Sequence, residues 1–288
     1  MDNRDFQILI DLYECKNITK VAQQHFISQP AMTKRLQKIE EALGAELLLR
    51  SPKGVIFTPV GEAVIPFCRT MIQQSHAMLS TVNQLHGVVG GTINVCTSPN
   101  YGRYTLPTVL GLYSQRYPHV ELHVITEKSS VMLTRLQQSN ELVAICRGRH
   151  NWEGCSILLS EEPMCLVYSY KNSGRPISTY SYIGHSIDSD ISMGIDRWAE
   201  EQHIDLSPTR MYVNDVTCCK ELAQQGVGWT ILPRICLDDF VGEIHNIHFK
   251  DGTPFTRSTY VLFSKAYSQL PQVKLFLDIL QEVEQTKH

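Results

Sequence analysis

The sequence predicts an α+β multidomain protein: a small helical domain closed by a two-stranded hairpin, then one long helix, then two α/β lobes. Three features of the chain point there. Apolar residues recur at helical spacing in three short runs before residue 44 and at strand spacing in two runs after it. From Pro59 to about His86 they alternate in steps of four and three, the period of one long helix with an apolar seam. Beyond Gly91, strand-like and helix-like segments alternate, which is the grammar of α/β lobes with helical crossovers.

The bulk properties agree with several domains. A chain of 288 residues with 43% hydrophobic content can bury substantial cores. The formal charge of −3 argues against nucleic-acid binding only if charge is spread evenly, because a local basic patch can do that work in an otherwise acidic chain. Nine cysteines without regular pairing, and an N-terminus without a basic segment and apolar run, predict a reduced, cytoplasmic protein without a disulfide framework. No apolar run approaches the roughly 18 residues of a membrane span.

In the first domain, Phe6, Ile8, Leu9, Leu12 and Tyr13 form one helical stripe, and Asn17-Ile18-Thr19 signals a stop and a new cap at Thr19. A second helix runs to about Phe26. The stretch Ser28-Gln29-Pro30-Ala31-Met32-Thr33-Lys34-Arg35-Leu36 opens a third. Ser28 can accept a bond from a free backbone N–H there, and Pro30 belongs in a first turn, where a missing N–H costs nothing. Only three residues separate Phe26 from Pro30, so the two helices must cross sharply, as in a helix-turn-helix whose later helix enters the major groove of DNA.

Ala31, Met32, Leu36 and Ile39 are expected to face inward, with Ala22 and Ile27 completing a small core. Gln29, Thr33, Lys34 and Lys38 are left facing outward, and theirs are base-edge and phosphate chemistries. A capped cationic helix can equally be a solvated surface. What favours DNA is that Lys16, Lys20, Lys34, Arg35 and Lys38 fall between Cys15 and Lys38 without one Asp or Glu. Leu47 to Arg50 and Val55 to Thr58 then read as strands joined by Ser51-Pro52-Lys53-Gly54, a wing with Lys53 at its tip.

The long helix carries Val64, Cys68, Met71, Ser75, Met78, Val82 and Leu85 along its seam. So small a domain offers little for this seam to bury against, so a second copy is the economical partner, with packing on its own domain as the alternative. Pro66 removes a backbone bond at a cost of about 3 kcal/mol and is expected to kink the first turns. Three glycines in Gly87 to Gly91 mark a hinge. Beyond it, extended segments are predicted at Thr92 to Cys96, Val120 to Thr126, Leu142 to Cys146, Met164 to Tyr168, Arg210 to Val213 and Trp229 to Leu232. Helices are predicted at Leu106 to Tyr117, Val131 to Gln138, Ile195 to Gln202 and Val216 to Gln225. The alternation implies parallel strands.

These residues together resemble the LysR-type transcriptional regulators. The most specific part runs from Val21-Ala22 through Ser28-Gln29-Pro30-Ala31 to Leu36-Gln37-Lys38-Ile39-Glu40-Glu41-Ala42-Leu43-Gly44, with Phe57-Thr58-Pro59 and Gly61-Glu62-Ala63. Gly90-Gly91-Thr92-Ile93, Leu106-Pro107, Tyr117 to Leu122, Gln225 to Gly228 and Leu232-Pro233 extend it over the full length. The resemblance implies an N-terminal winged helix-turn-helix (residues 1–58), a linker and dimerisation helix (59–87) and a two-lobed α/β effector domain of periplasmic-binding-protein type. Lobe I would be 91–161 with 265–288, and lobe II 162–264.

It further implies that Gln29, Pro30, Thr33 and Lys34 meet base edges or the groove, and that Ser28, Arg35 and Lys53 lie nearer phosphates or the minor groove. Gln29 with adenine and Lys34 with guanine would each discriminate by about 1 to 3 kcal/mol. The partners implied are double-stranded DNA with a partly palindromic operator, a small-molecule effector, RNA polymerase, and further copies in a homodimer or homotetramer. His25 departs from the family's usual leucine, and a tucked, hydrogen-bonded histidine is expected, or else an early end to the second helix.

In open α/β lobes ligands bind beyond the carboxyl ends of strands, near helix N-termini. Here those ends carry Thr97, Ser98 and Asn100, then Ser129 and Ser130, then Arg147, with His185 to Asp190 and Thr217 from the other lobe. Hydroxyls and a guanidinium suit a small anion, although each Ser or Thr could simply cap its helix. A redox-sensing regulator using Cys218 and Cys219 is the alternative, with buried structural thiols as the simpler expectation. His245 and His248 lack partners for a metal site. With no phosphate-cradling glycine loop, nucleophile elbow or metal-ligand run, neither a cofactor nor an enzyme is expected.

Overall fold

The computed structural model describes residues 1–51, 54–85, 88–138, 142–206 and 211–286. The chain divides into two compact units, Met1–Thr92 with His119–Glu121, and Ile93–Pro118 with Leu122–His288.

The first unit opens with α1 (Asn3–Cys15), whose N-terminus is closed by a reciprocal capping box between Asp2 and Asp5. Lys16 ends it in the left-handed region at φ 53°. The cap of α2 (Ile18–Gln24) is Asn17, which accepts from the Lys20 N–H at 3.0 Å, and not Thr19 as expected. Both residues can cap; the left-handed turn at Lys16 starts the helix earlier. Ser28 caps α3 (Gln29–Leu43) as expected, with the Ala31 N–H at 3.4 Å, and Gly44 closes it at φ 64°.

Met32, Leu36 and Ile39 of α3 are buried against Ile8, Leu9 and Leu12 of α1 and Val21 and Ala22 of α2. Each such burial contributes about 1.5 to 3 kcal/mol. Ala31, expected inward, is exposed, because it flanks the 32–36–39 stripe on its outer edge.

The wing forms from β1 (Leu48–Ser51) and β2 (Gly54–Phe57), antiparallel with Leu48 opposite Phe57 and Ser51 opposite Gly54. Lys53 lies outside the described residues. Gly54 is required where it stands: at φ 127°, a Cβ there would lie 2.6 Å from the Lys16 carbonyl oxygen. That same oxygen accepts from Val55 N–H at 2.9 Å, docking the wing on the end of α1. The long helix α4 (Pro59–Leu85) continues through Pro66. Its Ile65, Cys68 and Ile72 join the domain core, whereas Phe67, Met71, Met78 and Val82 are exposed. The predicted seam is therefore divided between the domain and water. The side chain of Leu85 is outside those described.

The strand β3 (Gly90–Thr97) leads to α5 (Pro99–Tyr104), α6 (Leu106–Arg116), β4 (His119–Thr126), α7 (Ser129–Gln138) and β5 (Val143–Arg147). A long strand β6 (Cys155–Tyr168) follows, then β7 (Ile183–His185), α8 (Ser189–Glu201), β8 (Met211–Val213) and α9 (Val216–Gln224). The chain ends with β9 (Trp229–Pro233), β10 (Glu243–Asn246), β11 (Thr256–Phe263) and α10 (Pro271–Thr286).

Seven strands form one sheet in the order β10-β6-β11-β5-β3-β4, with β9 also on β6, and β7 and β8 form a separate parallel pair. The parallel expectation holds for β3 with β5, where Val95 faces Val143. It holds also for β7 with β8 but fails for four pairings: β11 runs antiparallel to both β5 and β6, and β9 and β10 run antiparallel to β6. β11, from late in the chain, lies between β5 and β6 and runs against both, so that β5 and β6 themselves share one direction. The first half of β6 pairs with β11, with a register shift between Thr259 and Tyr260, and its second half pairs with β9 and β10. The last helix packs back on α5 and α6, where Tyr101 donates to Glu284 at 2.7 Å and Tyr113 to the Gln272 carbonyl at 2.8 Å.

Candidate functional site: a cationic helix and a ligand cavity

On α3, Ser28, Gln29, Pro30, Lys34 and Lys38 are exposed. Pro30, Lys34 and Lys38 follow in steps of four and so share a face. Two expected contacts are placed differently. The Thr33 hydroxyl is buried, without a hydrogen-bond partner among the described residues, so this side chain turns toward the domain. Arg35 is held within the unit: its Nε donates to Asp5 at 2.6 Å and its terminal nitrogen to both Asp2 oxygens at 2.8 and 2.9 Å. Lys16 lies over the rings of Tyr13 and Phe57, at 3.8 and 4.6 Å from their centroids. Of the five clustered cations, Lys20, Lys34 and Lys38 remain outward.

His25 meets both expectations, since it ends α2 and is tucked in with Nε2 2.6 Å from Asp11. Phe26, which sequence reasoning passed over, is 96% exposed at φ 55° in the turn before α3. Its position beside Ser28 was visible; its exposure was not.

In the second unit a cavity of about 250 Å³ opens beyond the ends of β3, β4 and β5. Of the predicted residues it gathers Ser98, Asn100, Ser129 and Arg147, together with His185 to Asp188. Thr97, Ser130 and Thr217 are not in its lining. Thr97 is fully buried and bonds the Ser98 carbonyl, and Ser130 is exposed on α7. Ser98 occupies the N-cap position of α5 but makes no cap bond; the residue is 5% exposed and its hydroxyl has no partner among the described residues. A buried hydroxyl left so is costly, by about 1 to 3 kcal/mol, and it marks a place for a ligand acceptor.

The guanidinium of Arg147 is not free for an anion. It is buried, ion-paired with Glu162 of β6, and donates to Thr259 of β11 at 2.9 Å. Glu162 also accepts from the Ile235 N–H. Arg257, a lining residue that sequence reasoning missed because β11 was not anticipated, is held by Asp188 and Asp190. Lys128, Asn214 and Asp215 were missed as well, although Asn214-Asp215 before a helix is a readable cap, and Asp215 does accept from Cys218 N–H at 2.8 Å. Met164, Ile191, Val216 and Pro233 supply the apolar wall.

The vicinal cysteines are unlike each other. Cys218 is exposed, whereas Cys219 is buried, bonds Thr230 at 3.1 Å, and has its thiol pushed up to about 11 by burial. His245 stacks on Tyr168 at 5.6 Å on the edge strand β10.

Comparison with known proteins shows the family. The family model described as LysR substrate binding domain matches residues 86–285, and that for the bacterial regulatory helix-turn-helix protein, lysR family, matches residues 3–62. The chain belongs to the LysR family. As a LysR-family chain it is 30% identical over 285 residues to the uncharacterized HTH-type transcriptional regulator YraN of Bacillus subtilis (strain 168), with 98% of each chain covered.

Among solved structures, full-length CbnR complexed with its target DNA is similar at a TM-score of 0.62 and 18% identity, over 98% of this chain and 100% of that one. A full-length OxyR variant from Pseudomonas aeruginosa is similar at a TM-score of 0.63 and 16% identity, over 98% and 97%. At these identities the likeness establishes the fold. The segment between the two family models is the body of α4. No helix among the described residues is long and apolar enough to cross a membrane.

Proposed function

We propose that this LysR-family regulator binds a partly palindromic operator through α3 and the wing, and that a small molecule in the cavity modulates those contacts. The observation that carries the reading is one chain joining a capped cationic helix, with Gln29, Pro30 and Lys34 outward, to a cavity lined by the buried, unpartnered Ser98 hydroxyl. In this reading Gln29, Pro30 and Lys34 meet the groove, Ser28 and Lys53 lie near phosphates, and Arg35 aims the helix through Asp2 and Asp5. Residues 1–58 act as the DNA-binding domain, 59–87 as the dimerisation helix, 91–161 with 265–288 as lobe I and 162–264 as lobe II.

Two-fold pairing of such domains sets half-sites about 10 base pairs apart or a multiple of that. The CbnR neighbour was solved with its target DNA, and DNA binding is carried over from it here as part of the proposal. The regulator then works in the cytoplasm, as a dimer or tetramer, with ligand-driven lobe movement passed through α4 to the DNA and to RNA polymerase. The test is the salt dependence of binding to the DNA upstream of its own gene. Lys34→Ala and Lys53→Ala should each lower the slope of log K against log salt by about 0.9. An unchanged slope in both variants would remove α3 and the wing from the interface.

A further inference from the structure

The charge balance around the cavity narrows the chemistry of its ligand; the inference rests on reading this cavity as the effector site. Arg147 is neutralised by Glu162. Arg257 faces two carboxylates, Asp188 and Asp190, which exceed its one positive charge. Two lining charges are left over. Lys128, between β4 and α7, is exposed and has no ion pair among the described residues. Asp215, at the start of α9, accepts the Cys218 N–H but meets no cation among the described residues.

The positive end of the cavity is also where the unpartnered donor sits. Ser98 follows β3 and Lys128 follows β4, and the two strand ends are joined by the Glu127 N–H donating to the Thr97 carbonyl at 3.0 Å. Ser129 also lines the cavity, with its hydroxyl donated to the Arg147 carbonyl at 3.4 Å. The negative end comes from Asp215, with the surplus carboxylate beside Arg257 adding to it. Met164, Ile191, Val216 and Pro233 line the same cavity. A simple anion would satisfy Ser98 and Lys128 but bring a like charge toward the aspartates, and a simple amine would leave the buried Ser98 hydroxyl without an acceptor.

We propose that the effector is a zwitterion, an α-amino acid with a short apolar side chain. Its carboxylate accepts from Ser98 and Lys128, and its ammonium donates to Asp215. The cavity of about 250 Å³ holds about eight waters' share of liquid volume, the scale of a molecule such as valine.

The test is isothermal titration of the full chain with L-alanine, L-valine, L-leucine and L-methionine, beside isobutylamine and isovalerate, which are valine without its carboxylate and without its amino group. At least one amino acid is expected to bind, with the single-charge analogues weaker by about tenfold or more. Lys128→Ala and Asp215→Asn should each weaken it by a similar factor, and both keep the fold, since Lys128 is exposed and asparagine is an equally good cap. Isovalerate binding as well as valine, with Asp215→Asn silent, would overturn the zwitterion and leave the cavity reading intact. Binding by none of the four amino acids overturns it too. The cavity reading itself fails only if Val216→Trp, which fills the space without removing a charge, leaves the operator footprint's response to a protein-free metabolite extract unchanged.

Discussion

The guanidinium of Arg35 has two carboxylates within reach before any phosphate arrives. The Asp5 N–H, together with Arg35, holds the Asp2 carboxyl below the usual carboxylate range. Lys34, one residue earlier and 100° around the helix, has neither partner. The two neighbours should therefore separate stability from affinity. Arg35→Ala is expected to lower the stability of the unit by about 1 kcal/mol in urea denaturation while leaving the DNA salt slope unchanged, and Lys34→Ala to do the reverse. Because the Asp2 carboxyl is depressed in the folded chain, its contribution is present above the unfolded pKa and lost as pH falls below about 4, where the Arg35→Ala deficit should shrink.

Thiols give a second contrast at this scale. Burial pushes Cys96, Cys165 and Cys219 up to about 11 and Cys146 and Cys236 up to about 12, so all five stay protonated at neutral pH. Iodoacetamide at pH 8, read by mass spectrometry, should label exposed Cys218 in the native chain and these five only after unfolding. A peroxide-induced Cys218–Cys219 disulfide that changes operator binding would restore the redox reading.

Among the elements, those with simple periodicity were the legible ones. The α3 stripe of Met32, Leu36 and Ile39 and its Ser28 cap could be read directly, because one face is apolar and the other polar. β11 could not. Its inward positions include Arg257 and Thr259, so burial alternates along the strand while hydrophobicity does not. Missing β11 hid Arg257 from the cavity, and it hid the strand between β5 and β6 across which Arg147 finds its partners. Arg147, Glu162 and Thr259 come from β5, β6 and β11, three adjacent strands, and such a pairing cannot be inferred from local spacing.

The consequence concerns how Arg147 should be tested. Arg147→Ala leaves the half-buried Glu162 without its cation and is expected to cost about 3 kcal/mol in chemical denaturation, so lost ligand binding in that variant would report unfolding. Arg147→Met combined with Glu162→Leu should return close to wild-type stability. A fully stable Arg147→Ala would mean that the pair is loose and the guanidinium available to a ligand after all.

For the whole molecule, the proposed association of copies rests on α4. The sequence seam treated one apolar stripe as an interface, but the helix carries two: Ile65, Cys68 and Ile72 belong to the domain core, and Phe67, Met71, Met78 and Val82 stay open to water. The exposed set advances by four, seven and four residues, which keeps it on one side of the helix at the spacing of a coiled-coil seam. An apolar stripe of this kind marks an association surface. Met71→Glu with Met78→Glu should therefore yield a smaller species by size exclusion with light scattering, with unchanged circular dichroism, since neither side chain enters the domain core. Pairing makes the second half-site contact intramolecular, so its loss should lower affinity for a two-half-site operator by about 10² to 10⁴ while binding to a single half-site changes little. A doubly substituted chain that kept its size and its two-site affinity would return α4 to the alternative reading, a helix that serves only its own domain.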